Sequence, residues 1–195
     1  MLKKLFSGVI LSSLICLSAN AKNYYMKFNE KSSNIKFLVS TTLHDVNAEV
    51  QKFKGSISIT ADDNNNVQKA EGTLELTVDS FFSNDKKRDA RMKNEILSVA
   101  KYPLIKFKIN SVKVTEKLKD DGSMKMNLIG PLTILGTSKN VEIPVKVKLD
   151  KNKTNAVVEG SYKLNFKDYN VPDPSIPLLN KVNENINITF NLKAN

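Results

Sequence analysis

Apolar residues recurring at every second position dominate this chain, and no other feature restricts its fold as strongly. Ile35, Phe37 and Val39 alternate with Lys36, Leu38 and Ser40. Ile57 and Ile59 alternate with Ser56 and Ser58, and Leu74, Leu76 and Val78 with Thr73, Glu75 and Thr77. The spacing returns at Ile105, Phe107 and Ile109, at Met124, Met126 and Leu128, and from Val141 through Ile143, Val145 and Val147 to Leu149. Tyr162, Leu164 and Phe166, then Ile186, Ile188, Phe190 and Leu192, complete the series. A period of two puts each set on one face of a strand and the polar set on the other. The breaks at Asp62–Asn66, Lys119–Gly122 and Asp150–Lys153 consist of residues that accept turn geometry and bond their own backbone. The expectation is an all-β antiparallel meander of eight or nine strands. Closing it into a barrel removes exposed edges, and about eight strands enclose room for one slender ligand.

Two segments depart from this rhythm. Between Asn84 and Ala100, Met92, Ile96 and Val99 are spaced four and three apart, which predicts one short amphipathic helix. Asn84 or Asp85 is placed to cap it, and Tyr102-Pro103 to end it. From Asp168 to Asn180, Pro172, Pro174 and Pro177 cannot donate to a ladder, which predicts a loop. Val171, Ile176, Leu178 and Leu179 make it more apolar than an ordinary solvated loop, as a lid over one barrel mouth would be. A loop packed permanently on the wall is the alternative. No internal repeat and no second domain are visible, so residues 22–195 read as one domain.

The first 21 residues read as an export signal. Lys3 and Lys4 precede an apolar run from Leu5 to Leu17, and Ala19-Asn20-Ala21 supplies a small-x-small cleavage site. The run is shorter than the ~20 residues that span a bilayer. Cleavage after Ala21 would leave Lys22 as the mature N-terminus, in the periplasm. The single cysteine, Cys16, lies in this leader behind Leu14 and Ile15, which are too large for a lipoprotein signal. The mature chain then has neither a disulfide framework nor a thiolate metal site. Losing 21 of 195 residues leaves 174, enough for one sizeable core, and losing Lys3 and Lys4 lowers the net charge from +10 to +8. Lysines spread along the chain favour solubility and anionic partners, including a transient contact with a membrane surface. Nucleic acid is excluded as a partner for an exported chain without a binding motif. The sequence leaves a homodimer open.

Catalytic chemistry is sparse. His44 is the only histidine, and no Gly-x-Ser-x-Gly elbow is present. One histidine without cysteine does not make a zinc site. A barrel enzyme would need His44 to find Asp89 or Asp168, whereas Asp45 beside it faces the other side of the strand. A calcium loop counted from Asp62 lacks its glycine and glutamate, because Val67 and Thr73 hold those places. Gly130 and Gly136 are not followed by the lysine of a phosphate loop, so Gly136 reads as a tight turn. Asp150-Lys-Asn152-Lys-Thr154 fits the extended acidic sequon that some bacteria glycosylate, on a turn expected to be exposed, although coincidence in a chain rich in asparagine and lysine is the favoured reading of so short a motif.

A family resemblance rests on four stretches. Ser33-Asn-Ile-Lys-Phe37 resembles the opening Ser-x-Ile-x-Phe strand of the YceI-like family, and Phe53-Lys-Gly55-Ser-Ile57 its Phe-x-Gly-x-Ile segment. Arg88-Asp89 through Leu97 to Tyr102-Pro103-Leu-Ile-Lys-Phe107 is similar to its Arg-Asp…Leu…Tyr-Pro-x-Ile-x-Phe stretch. Gly130-Pro-Leu-Thr-Ile-Leu-Gly136-Thr-Ser-Lys139, running on to Pro144-Val145, resembles its Gly-x-Leu-Thr-x-x-Gly-x-x-Lys block. The chain departs from the pattern at Ala48, where glycine is usual, and at Tyr24 and Tyr25. The resemblance implies an extended lipocalin-like barrel, exported, that binds a polyisoprenoid, a quinone or another long-chain amphiphile such as a fatty acid or amide, and is not an enzyme. The residues expected to meet that ligand are Phe37, Val39, His44, Leu76, Phe81, Phe82, Arg88, Met92, Phe107, Met126, Leu128, Phe166, Ile176 and Phe190. Arg88 and Arg91 would lie near the polar end of the ligand, since a guanidinium matches anionic oxygens with a rigid fork. Met92, Met124 and Met126 would adapt to an irregular tail. No metal or cofactor is expected beyond the bound lipid. A barrel filled by its own side chains is the competing expectation.

Overall fold

The computed structural model describes residues 21–62 and 66–195. The apolar leader with Cys16, and the middle of the Asp62–Asn66 turn, lie outside the described residues. The strands are β1 (Lys22–Lys27), β2 (Asn34–Thr41), β3 (Val46–Val50), β4 (Phe53–Ala61), β5 (Val67–Thr77) and β6 (Phe81–Phe82). They continue as β7 (Leu104–Ile109), β8 (Ser111–Glu116), β9 (Ser123–Ile134), β10 (Thr137–Leu149), β11 (Ala156–Asn165) and β12 (Val182–Ala194). Neighbours pair antiparallel in the order β1-β4-β5-β7-β9-β10-β11-β12-β2-β3-β6, with β8 added beside β9.

The strand number exceeds the expected eight or so for a local reason. Strands β1, β3, β6 and β8 are only six, five, two and six residues long. Short breaks join β3 to β4 and β7 to β8, so long bent strands are divided into pieces. The sheet curls into a lipocalin-like barrel. At one end Lys27 and Asn195 exchange backbone hydrogen bonds of 2.7 and 3.1 Å, which ties β1 to the end of β12. At the other, the Gln51 N–H donates to the Ser80 carbonyl and the Thr77 N–H to the Lys52 carbonyl, at 3.1 and 3.0 Å. Both seams satisfy backbone groups that an open edge would expose.

The period of two sets the interior. Along β9, Met124, Met126, Leu128, Leu132 and Ile134 are buried, and along β10 Ile143, Val145 and Val147 are buried between exposed Glu142, Pro144, Lys146 and Lys148. The hairpin between them turns on Leu135 and Gly136, both left-handed (φ 49° and 76°), the geometry of a two-residue loop whose twist suits its strands. The Tyr102 ring lies over Gly136, where a Cβ would come within 3.1 Å of it.

Three boundaries differ from the sequence reading. The helix is α1 (Lys86–Arg91), capped by Asp85, and it widens into one π-type turn over Met92–Ile96. It stops at Leu97, ahead of Tyr102-Pro103, because Ser98 turns left-handed (φ 47°) and its carbonyl accepts the N–H groups of Lys101 and Tyr102. Val78 and Phe166 leave their strands for tight 3₁₀ turns, Val78–Ser80 and Phe166–Tyr169. The second turn also takes in Asp168, and it anchors itself with Tyr169, which is only 2 % exposed. The proline loop therefore begins after Tyr169. Burial pushes the Tyr169 hydroxyl pKa well above its ordinary value.

Candidate functional site

Two cavities lie inside the barrel, separated by a packed waist. The larger, about 490 Å³, occupies the end covered by α1 and the 171–180 segment. The smaller, about 50 Å³, lies at the opposite end, among Tyr24, Met26, Ile59, Met124 and Val158. Strand β12 shows the division: Ile186 and Ile188 face the large cavity and Ala194 the small one, with Phe190 between them. Phe53, Phe107 and Ile109 are buried and line neither cavity, as is Val145, whose partner across the ladder is Gly160 opposite Phe190. The Phe190 ring can lie there because residue 160 on β11 is glycine. A Cβ at Gly160 would come within 2.5 Å of Phe190 Cζ and 2.8 Å of the Pro144 carbonyl oxygen.

The walls of the large cavity are mostly apolar. Phe37 and Phe81 meet in a tilted pair, ring centroids 5.4 Å apart at 51°. Ala48 lies opposite Phe37 in the ladder. Polar groups are confined to one side and to the mouth: Thr41, His44, Ser83, Lys87, Arg88, Arg91 and Asn180. All fully charged lining side chains among the described residues are cations.

The cations are held by a local network. The Asp85 side chain accepts from the N–H groups of Lys87 and Arg88 at 3.0 Å each. The Arg88 N–H bond, with the Arg88 and Lys87 charges nearby, holds that carboxyl below its ordinary pKa range. Arg88 donates from Nε to Ser83 Oγ (2.8 Å) and from Nη2 to the Ser83 carbonyl (2.7 Å). Ser83 in turn donates its N–H and hydroxyl to buried Asp89 at 2.9 and 2.5 Å. Arg88 is thus positioned through Ser83, and its Nη1 has no protein partner among the described residues. Arg91 Nη1 donates to the Pro174 carbonyl at 3.0 Å, pinning the proline segment to the helix.

Of the residues expected at the ligand, the structure brings Phe37, Val39, His44, Leu76, Phe81, Arg88, Met92, Phe166 and Ile176 to the large cavity. Five lie elsewhere. Phe82 is 39 % exposed on the outer face, because Phe81 takes the inward position of the two-residue strand. Phe107 and Phe190 belong to the waist, while Met126 and Leu128 line the small cavity, since β9 passes from one end of the barrel to the other. Sequence reasoning passed over Ala48, Lys87, Asn180, Ile186 and Ile188 on the large cavity. Ile186 and Ile188 share the inward parity of Phe190 and could have been found by it. Ala48 shares the parity of Val46 and Val50, while Asn180 carries no such signal. The two carboxylates offered as partners for His44 are engaged elsewhere: Asp89 by Ser83, and Asp168 by Lys139 Nζ at 3.7 Å. His44 stands at the exposed mouth, where its backbone bonds the Thr41 hydroxyl.

A family model described as the YceI-like domain matches residues 26–194, nearly the whole described barrel. The chain belongs to the YceI-like family. BcnA from Burkholderia cenocepacia superposes with a TM-score of 0.71 at 19% identity, covering 86% of this chain and 99% of that one. A polyisoprenoid binding domain from Saccharophagus degradans, implicated in plant cell wall breakdown, gives a TM-score of 0.65 at 14% identity, over 89% and 98% of the two chains. The YceI protein of Campylobacter jejuni gives 0.57 at 19% identity, over 76% and 83%. At these identities the likeness is one of fold. No curated protein matches the sequence. Residues of the quoted motifs meet in the fold: Tyr102 packs on Gly136, and Arg88 and Asp89 meet at Ser83.

Proposed function

We propose that this protein is an exported, periplasmic carrier that holds the apolar tail of one long-chain amphiphile in the large cavity and performs no chemistry on it. The observation that carries the reading is the cavity itself: about 490 Å³, mostly apolar, with only cations among its charged lining. Each ligand methylene buried there contributes about 0.8 kcal/mol, so a tail can be held without any polar contact along its length. The polar end belongs at the mouth, beside Lys87, Arg88 and Arg91. The likeness to a polyisoprenoid binding domain of Saccharophagus degradans supports a lipid of the polyisoprenoid type, and the apolar cavity also suits a quinone or a fatty acid. The apolar run ahead of Ala19-Asn20-Ala21 supports export.

Extraction and mass spectrometry of lipid from natively purified protein test the reading. One class of long-chain amphiphile, near one per chain, is expected. Protein that arrives free of lipid and takes up no apolar probe would overturn it. N-terminal sequencing of the mature protein should begin at Lys22, and exported protein beginning at Met1 would remove the leader from the proposal.

A further inference from the structure

Beside the mouth of the cavity the chain exposes leucines that add nothing to its core. Among the described residues, six large apolar side chains are exposed, and four of them, Leu43, Ile176, Leu178 and Leu179, lie on two adjoining loops at this mouth. The loops are fastened to each other. The Thr42 N–H donates to the Lys181 carbonyl at 3.0 Å, the Lys181 N–H to Thr42 Oγ1 at 3.1 Å, and Thr42 Oγ1 to Asn180 Oδ1 at 3.2 Å. These bonds fasten the loop that carries Leu43 to the segment that carries Leu178 and Leu179. Leu43 is 67 % exposed, Leu179 is 70 % exposed, and Leu178 is fully exposed. Leu178 is also held in the left-handed region (φ 63°), where a branched side chain is disfavoured. Exposed surface and a disfavoured backbone at one residue bring the folded chain nothing by themselves. They are explained if the tip is buried against something else.

We propose that this rim docks on the surface of an anionic lipid bilayer, with Leu43, Leu178 and Leu179 entering the interface. The occupant follows from three features. Apolar tips flanked by cations are the pattern of interfacial anchors. Lys86 and Lys87 are exposed on the adjoining helix, and Lys181 directly follows the loop. Three of the carboxylates at this end already have partners: Asp85 caps the helix, Glu95 meets Arg91 at 3.6 Å, and Asp173 accepts from the Ser175 N–H at 2.9 Å. Asp45, beside His44, and Asp79, which meets Lys93 of the helix at 3.9 Å, are further exposed carboxylates at this end. Finally, the leucines flank the opening of the cavity, since their chain neighbours His44, Ile176 and Asn180 line it. The inference deepens the carrier reading and rests on it for the source of the ligand. A tail could pass from bilayer to cavity along Ile176 and Val39, both on the cavity wall, without crossing water.

The test is flotation with vesicles of phosphatidylcholine, alone or with phosphatidylglycerol. Wild type is expected on the phosphatidylglycerol vesicles, and added salt should weaken the binding as it screens the cations. In the triple variant Leu43→Ser, Leu178→Ser, Leu179→Ser, partitioning should fall at least about tenfold per leucine lost from the interface. Tyr25→Ser, which removes a side chain 64 % exposed on the outer face of β1, should leave it unchanged. A triple variant that melts like wild type and still floats would overturn the proposal. So would equal, salt-independent binding to both vesicle types. Self-association in sedimentation velocity that the triple variant abolishes, with no flotation of wild type, would assign the rim to a second copy of the chain. Lipid extracted from the same preparations separates the two readings: vesicle binding by protein with an empty, probe-inaccessible cavity would defeat the carrier and leave the docking surface standing.

Discussion

Replacing Ala48 by leucine tests whether the cavity measures the length of the tail it holds. Ala48 is buried on the cavity wall opposite Phe37, with open space inward of it. At roughly 30 Å³ per methylene-sized group, the share of volume one water takes in the liquid, about 490 Å³ holds about 16 groups. Leucine adds about three carbons, which lowers that capacity to about 13. Each group excluded forfeits about 0.8 kcal/mol, so palmitate should lose about 2.4 kcal/mol, roughly sixtyfold in affinity. Decanoate, which fits either cavity, should lose almost nothing. Titration calorimetry with the two acids, with a melting curve as the control for folding, gives the comparison. Equal losses for both chains would mean general damage to the barrel. Unchanged palmitate binding by a folded variant would mean that the tail does not lie in this cavity, or that the waist at Phe190 opens to admit it.

Three further expectations concern single features. Arg88→Ala should weaken palmitate by about tenfold, as the loss of a charge-assisted hydrogen bond does, and hexadecanol much less. Equal losses in calorimetry, together with a lower Tm, would show that Arg88 serves only to hold Ser83. The Asp150 carboxyl accepts from Asn155 and Thr154 in the turn before β11, and the Asn155 side-chain bond leads in lowering its pKa from 3.8 to about 2. A depressed pKa gives stability that is present above the ordinary value and lost as pH falls through the depressed one. The Tm gap between wild type and Asp150→Asn should therefore be full near neutral pH and close between about pH 4 and 2; a gap independent of pH would refute the assignment. If the 171–180 segment acts as a lid, bound palmitate should slow amide hydrogen exchange there, including at Ile176, whose N–H donates to the Asn180 carbonyl at 2.8 Å. Exchange that ligand leaves unchanged would mean a loop packed permanently on the wall.

The alternation of Val141, Ile143, Val145 and Val147 with exposed Glu142, Pro144, Lys146 and Lys148 settles by itself that β10 is a strand with one buried face, because a strand has only two faces and water takes the one with the charges. The same rule identifies the inward residues of β7, β9 and β12, so the all-β class and the side of each strand that meets the interior are legible in the chain. The helix is legible too, as a break in period with Asp85 ahead of it. The depth at which each inward residue lies is decided only by the tertiary structure. Met126, Phe190 and Ile186 share the same inward alternation, yet they line the small cavity, form the waist and line the large cavity. Parity repeats every two residues along the strand and says nothing of height in the barrel. Height is fixed by register between strands and by contacts of long sequence separation, such as Phe190 over Gly160. The same holds for the cavity mouth. Thr42 and Lys181, far apart in sequence, meet because β2 and β12 are neighbours. That pairing joins the loop of Leu43 to the segment of Leu178, which no local pattern in the sequence could announce.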